Sequence, residues 1–147
     1  MNKVQREISI EASAECVFAY LADFNRHREW AGHELEFEQT SSGPLGPGTT
    51  FKLVNPSFSR GQVSDLAIIE FLANEHIIME TDGDDGRLRH SFLLRELGGK
   101  THLTKIAELV WLPLRRKLVR PLLTSLVFPH ILAGQLRRIR KRCTQGS

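Results

Sequence analysis

Hydrophobic and polar residues alternate over residues 3–11, with Val4, Arg6, Ile8 and Ile10 on one side and Gln5, Glu7, Ser9 and Glu11 on the other. A period of two predicts a half-buried strand. Ser13 can then cap a helix, and Glu15 falls in its first turn, where the helix dipole favours an anion. Val17, Tyr20, Leu21 and Phe24 recur at helical spacing, so this helix ends near Phe24. The stretch "NRHREWAG" predicts a second helical turn stopped at Gly32. Period two returns in "HELEFEQT", which sets His33, Leu35 and Phe37 against Glu34, Glu36 and Glu38. A Gly/Pro loop, "SSGPLGPG", leads to "TTFKLVN", and a second break, "PSFSRG", leads to "QVSDLAIIEF" and "HIIMET". The hairpin signals "DGDDG" and "LGGK" bracket "RLRHSFLLRE", and "THLTKIAELVW" follows. From Leu114 to about Arg142 the pattern is helical, with Leu118, Leu122, Leu132, Leu136 and Ile139 on one side.

Strands run together and a helix closes the chain. The predicted class is therefore α+β: an antiparallel sheet of about seven strands, two short helices and a long C-terminal helix. The final helix is the only element large enough to cover one face of the sheet. Both sides of "QVSDLAIIEF" carry apolar residues, so its inward parity is open, and a bulge there would shift half of any pocket assignment. At 147 residues the chain is long enough for one domain, spanning 1–147, with a core of its own.

Charge changes the picture at one place. Residues 1–112 carry 11 Lys and Arg against 17 Asp and Glu, a balance of −6, whereas residues 113–147 carry 9 Lys and Arg and no acid, a balance of +9. The apolar run "LVRPLLTSLVFPHILAGQL" lies between "RRK" and "RRIRKR". That composition fits either a core helix with a basic edge or a helix lying on an anionic membrane surface through 114–142. Arg120, His130 and two prolines interrupt it too often for a membrane span. No aromatic residue interleaves the arginines, which argues against nucleic acid. Cys16 and Cys143 are far apart with no CxxC spacing, consistent with a reduced cytoplasmic protein and a buried, inert Cys16. "MNKVQREIS" shows no secretory signal.

Metal and nucleophile signatures are missing. His27 and His33 are six apart, "HEL" lacks the second histidine of HExxH, and "DGDDG" has Gly86 where a calcium loop needs a ligand. No metal or cofactor is expected. Asp23 reads as a helix-end residue, and His27 and Glu29, between Arg26 and Arg28, as a solvated face. Trp30 offers an apolar face and one N–H, for core or for a pocket wall. By alternation His90 joins Leu88, Phe92 and Leu94 on an inward face, where it needs a protein partner or a ligand oxygen. Lys105, alternating with Leu103, Ala107 and Leu109, either meets a ligand carboxylate or enolate or snorkels out at a rim. Pro121 and Pro129 predict kinks in the last helix.

Three stretches carry a family resemblance: "IEASAECVFAYLADFNRHREW", "GPLGPGTTF" and "GGKTHLT". In order and spacing the chain resembles the START-like superfamily, and within it the polyketide cyclase/dehydrase and lipid-transport subgroup. The resemblance implies a helix-grip fold, in which a curved antiparallel sheet holds a hydrophobic ligand against the C-terminal helix. A minority of such proteins catalyse cyclisation or dehydration. The expected wall comprises Trp30, Leu35, Phe37, Phe51, Leu53, Met79, Phe92, Leu122 and Leu126, with His90, Lys105 and His130 orienting a lipid-like, polyketide-like or aromatic ligand. The alternative is a cyclase/dehydratase in which His90 or His130 moves protons and Lys105 stabilises an enolate. A monomer or a homodimer is expected.

Overall fold

The computed structural model describes residues 3–32, 35–55, 62–83 and 86–145. The expectations for His33, Glu34, the break at 56–61 and the middle of the "DGDDG" turn fall outside them.

Strand β1 (Lys3–Ile10) leads into α1 (Ala14–Ala22), a 3-10 turn (Phe24–Arg26) and α2 (Arg28–Ala31). Ser13 Oγ accepts a hydrogen bond from the Cys16 N–H at 3.1 Å, the expected N-cap. A carboxylate from across the fold reinforces it: Glu96 Oε1 accepts from the Ala14 N–H at 2.6 Å. Gly32 stops α2 at φ 91°, a left-handed conformation that glycine adopts without steric cost.

Six further strands follow: β2 (Glu36–Gln39), β3 (Thr50–Asn55), β4 (Gln62–Leu72), β5 (His76–Gly83), β6 (Gly86–Leu97) and β7 (Lys100–Trp111). All seven form one antiparallel sheet in the order β1-β7-β6-β5-β4-β3-β2. The ambiguous parity of β4 resolves into a bulge, because pairing with β5 shifts register between Ile68 and Glu70. The extra residue, Ile69, points outward, so Leu66 and Ile68 before the bulge and Phe71 after it all pack on the core.

The C-terminal segment departs from one continuous helix. It consists of α3 (Leu114–Lys117), α4 (Arg120–Leu122), a π-turn (Leu123–Val127) and α5 (Phe128–Gln145). Pro121 has no N–H to give, and the wider π-turn sets the helical phase back. The leucines before and after the break therefore do not share a face. Leu132, Leu136 and Ile139 are buried against the sheet, whereas Leu118 is 90% exposed and Leu122 52%. Pro129, the second residue of α5, follows directly on the π-turn, so its missing N–H falls inside a continuous run of helical turns. The main core joins Ile10, Val17, Leu21, Ile68, Ile77, Phe92, Leu103, Leu136 and Ile139.

Candidate ligand-binding site

Strands β6 and β7 build the wall of the site by simple register. Phe92 pairs with Lys105 and His90 with Ala107, so alternate residues of the two strands share the inward face. The same face continues across the sheet through Met79 on β5, Leu66 and Ile68 on β4, and Phe51 on β3, all buried. The helices do not cover all of it. Leu53, Ser64, Thr81, Leu88 and His90 lie on the inward face of β3 to β6 and remain half-exposed. These five positions mark an open cleft on the inner side of the sheet.

Lys105 lies deeper, at 3% exposure, so it does not snorkel. Its Nζ donates to Gln135 Oε1, a neutral acceptor on α5. Gln135 is held for that role, since its Nε2–H donates to the Ala31 carbonyl at 3.2 Å and leaves the amide oxygen for the amine. The amine also sits 4.8 Å from the Trp30 ring centroid and 5.0 Å from that of Phe92. Among the described residues no carboxylate pairs with it. Burial, with the Arg138 guanidinium as a smaller cause, brings the Lys105 pKa down to about 7. Cation–π contact favours the ammonium by roughly 0.5–2 kcal/mol, less than the several kcal/mol that desolvating a charge costs.

Trp30 forms the adjoining wall. Arg138 Nε–H donates to its backbone carbonyl at 2.9 Å, and its indole meets Phe92 edge-on at 5.6 Å. Its Nε1–H is buried with no acceptor. An unpaired buried donor costs about 1–3 kcal/mol, so this N–H is either a standing loss or a vacancy for a ligand oxygen.

His27 corrects the sequence reading. It is 2% exposed, not part of a solvated face. Nε2 lies 2.7 Å from the Leu21 carbonyl, and the ring stacks on Phe24 at 4.4 Å and tilts against Trp30 at 4.8 Å. Residues 24, 27 and 30 recur three apart, so a helical count would have placed His27 on the apolar side. Burial depresses its pKa to about 4, against the carbonyl contact that favours the charged ring, and Lys105 lowers it further. Burial also takes His90 to about 3, helped by Lys105 and His27. His90 is half-exposed on the inward face. Both imidazoles are neutral at neutral pH.

Of the expected wall, Trp30, Phe51, Met79 and Phe92 are buried in the core, and Leu35 and Phe37 pack against it. Leu53 is half-exposed at the cleft. Three residues do not join it. Leu126 is 65% exposed and Leu122 also faces solvent, because the π-turn rotates residues 114–126 away from the sheet, while His130 is exposed on the side of α5 away from Leu132 and Leu136. Gln135 was missed. Its signal was a polar residue inside the Leu132–Leu136–Ile139 stripe. Cys16 is exposed rather than buried, and it is Cys143 that is enclosed.

No family model matches the chain, and no curated protein matches it. Solved structures do. A START superfamily protein from Mycobacterium smegmatis superposes with a TM-score of 0.77 at 18% identity, covering 100% of both chains. The chain has the START-like fold. The Zhui aromatase/cyclase from Streptomyces sp. R1128 matches with a TM-score of 0.78 at 13% identity, over 97% of this chain and 93% of that one. The Aha1 dimer from Colwellia psychrerythraea matches with a TM-score of 0.65 at 17% identity, over 97% and 96%. At these identities the START-like scaffold is what is shared. Among the described residues no helix is long and apolar enough to cross a membrane.

Proposed function

We propose that this protein binds a hydrophobic or amphipathic small molecule, with the ligand's oxygen directed at Trp30 and Lys105. The observation that carries this reading is a pair of donors beside one apolar wall: among the described residues, an indole N–H with no acceptor and an amine whose one hydrogen-bond partner is an amide oxygen. A carbonyl, enolate, phenolate or carboxylate oxygen would satisfy both. Leu53, Thr81, Leu88 and His90 would take the apolar body in the cleft. The test uses Trp111→Phe, which leaves Trp30 as the single tryptophan. Naphthoate and naphthol should quench or shift Trp30 emission saturably, and naphthalene should bind at least about tenfold more weakly. Equal binding of all three would remove the polar anchor from the reading.

A second reading, cyclase/dehydratase chemistry, is favoured by the placement of His90 and Lys105 on one inward face, where the Lys105 amine helps to lower the His90 pKa. In it Lys105 would hold an enolate and His90 would carry the proton. His130 has no part in it, being exposed. Turnover of a poly-β-ketone substrate, lost in His90→Gln with binding retained, is the result this reading requires.

Contact with an anionic membrane surface is supported by a separate feature. Leu114, Leu118, Leu122 and Leu126 are spaced four apart and stand 81%, 90%, 52% and 65% exposed. They stand among Arg115, Lys117 and Arg120 in a region without a single acid, which opposes docking of a second copy and favours an anionic partner. Two free cysteines fit a cytoplasmic setting.

A further inference from the structure

The chain has six lysines, and five of them are exposed. Lys105 alone is enclosed, and its surroundings are those that make an amine a nucleophile rather than a cation. Two aromatic faces, a neutral amide oxygen and, among the described residues, no carboxylate surround it, while Arg138 repels a positive charge. Attack on carbon needs the nitrogen lone pair, which only the unprotonated amine possesses. The hydrogen bond to Gln135 engages an N–H and leaves that lone pair unused.

We propose that Lys105 captures carbonyl compounds covalently, its amine condensing reversibly with an aldehyde or ketone to give an imine. This rests on the ligand-binding reading above and narrows it to one ligand class.

The step balances without a further reagent. The nitrogen lone pair forms the C–N bond as the carbonyl π pair moves onto oxygen, and a proton passes from nitrogen to that oxygen, giving a carbinolamine. Loss of the hydroxyl with a second nitrogen proton releases one water and leaves C=N. Oxygen gains negative charge during the attack, and the indole against which the amine rests carries an N–H with no acceptor. With a pKa of about 7 the amine is largely free base just above neutrality, whereas an ordinary lysine is so only to roughly one part in a thousand. His90, half-exposed on the same wall, borders the cleft beyond Phe92.

The test is reductive trapping. The full-length protein is incubated with decanal or naphthaldehyde and cyanoborohydride at about pH 7, then mapped by peptide mass spectrometry. The expected result is one adduct on the peptide bearing Lys105, exceeding labelling at each exposed lysine by roughly tenfold or more. That preference should disappear in urea-unfolded protein, and the adduct in Lys105→Met. Naphthalenemethanol, which cannot form an imine, is titrated in parallel against Trp30 emission. Binding of the alcohol with Lys105 unlabelled by the aldehyde overturns imine formation and leaves ligand binding standing. Failure of both overturns the two together.

Discussion

The Lys105 amine and the Trp30 indole meet face on, 4.8 Å apart, inside a wall that supplies neither with an acid or an acceptor suited to its charge or its N–H. Each residue is a local loss for the fold. Both are also donors that a ligand oxygen could engage, and the first prediction separates those two descriptions. Trp30→Phe keeps a ring against Phe92 and deletes the unpaired N–H. Stability in urea should be unchanged or raised by about 1 kcal/mol, and affinity for an oxygen-bearing ligand should drop about tenfold. A variant that loses stability and keeps affinity would make Trp30 plain core.

Lys105 makes a statement about pH. Its pKa falls from 10.5 in an ordinary setting to about 7 in the fold, so between those values the unfolded chain holds the proton that the native protein lacks. Stability therefore rises with pH across that window, and the penalty is fully present below it. Lys105→Met removes the penalty. The variant should exceed wild type by on the order of 2–4 kcal/mol near pH 7, with the gap closing by about pH 10. Denaturant midpoints of the two proteins at several pH values measure the gap; one that does not change with pH contradicts the assignment.

The two buried imidazoles act at the acid end. Their pKa values lie at about 4 and about 3, below the ordinary 6.5, so the unfolded chain again binds more protons, here from pH 6.5 downward. Stability should fall as pH drops through that range. His27→Gln, which can still donate to the Leu21 carbonyl, should remove about 2 kcal/mol of the loss between pH 6.5 and 4. An unaltered acid limb in the variant would refute the burial of His27.

Two leucines on the same C-terminal segment should behave in opposite ways. Leu136 is 1% exposed and Leu118 90%. Leu136→Ala should cost about 2–5 kcal/mol, and Leu118→Ala should fall within about 0.5 kcal/mol of wild type. Equal costs would mean that the turn at Leu118 packs on the sheet after all.

The leucine stripe has its own assay. Co-sedimentation with vesicles of phosphatidylglycerol should be measurable, weaken with salt, and fall at least about tenfold in Leu114→Ser/Leu118→Ser. Salt-independent binding to neutral vesicles, or a concentration-dependent dimer that buries the stripe, would replace the anionic surface with another partner.

How far the sequence carried these conclusions varied with the kind of signal. Alternation placed β1, β6 and β7 and put His90, Phe92 and Lys105 on one face, because a period of two leaves only two choices and apolar neighbours decide between them. The bulge at Ile69 could be anticipated as a conflict but not located, since either phase of "DLAIIEF" buries enough. The C-terminal segment was over-read. A helical period drawn through Leu118, Leu122 and Leu132 ignores the phase lost at a π-turn, which only the backbone reveals. The partners of Lys105 were invisible for another reason: Gln135 is 30 residues away and Trp30 comes from the opposite end of the chain, so nothing local announces their meeting.

The sheet order also has a consequence in time. β1 has a single neighbour, β7, and their register pairs Lys3 with Glu108 and Ile10 with Thr101. Loops that long are entropically costly to close, and topologies dominated by distant pairings fold slowly. During synthesis the hairpins from β3 to β6 can form as they emerge, but β1 must wait, its edge unpaired, until nearly the whole chain has been made. Of the seven strands, the one translated first waits longest for its partner, and through that interval it is the strand most in need of protection from other chains.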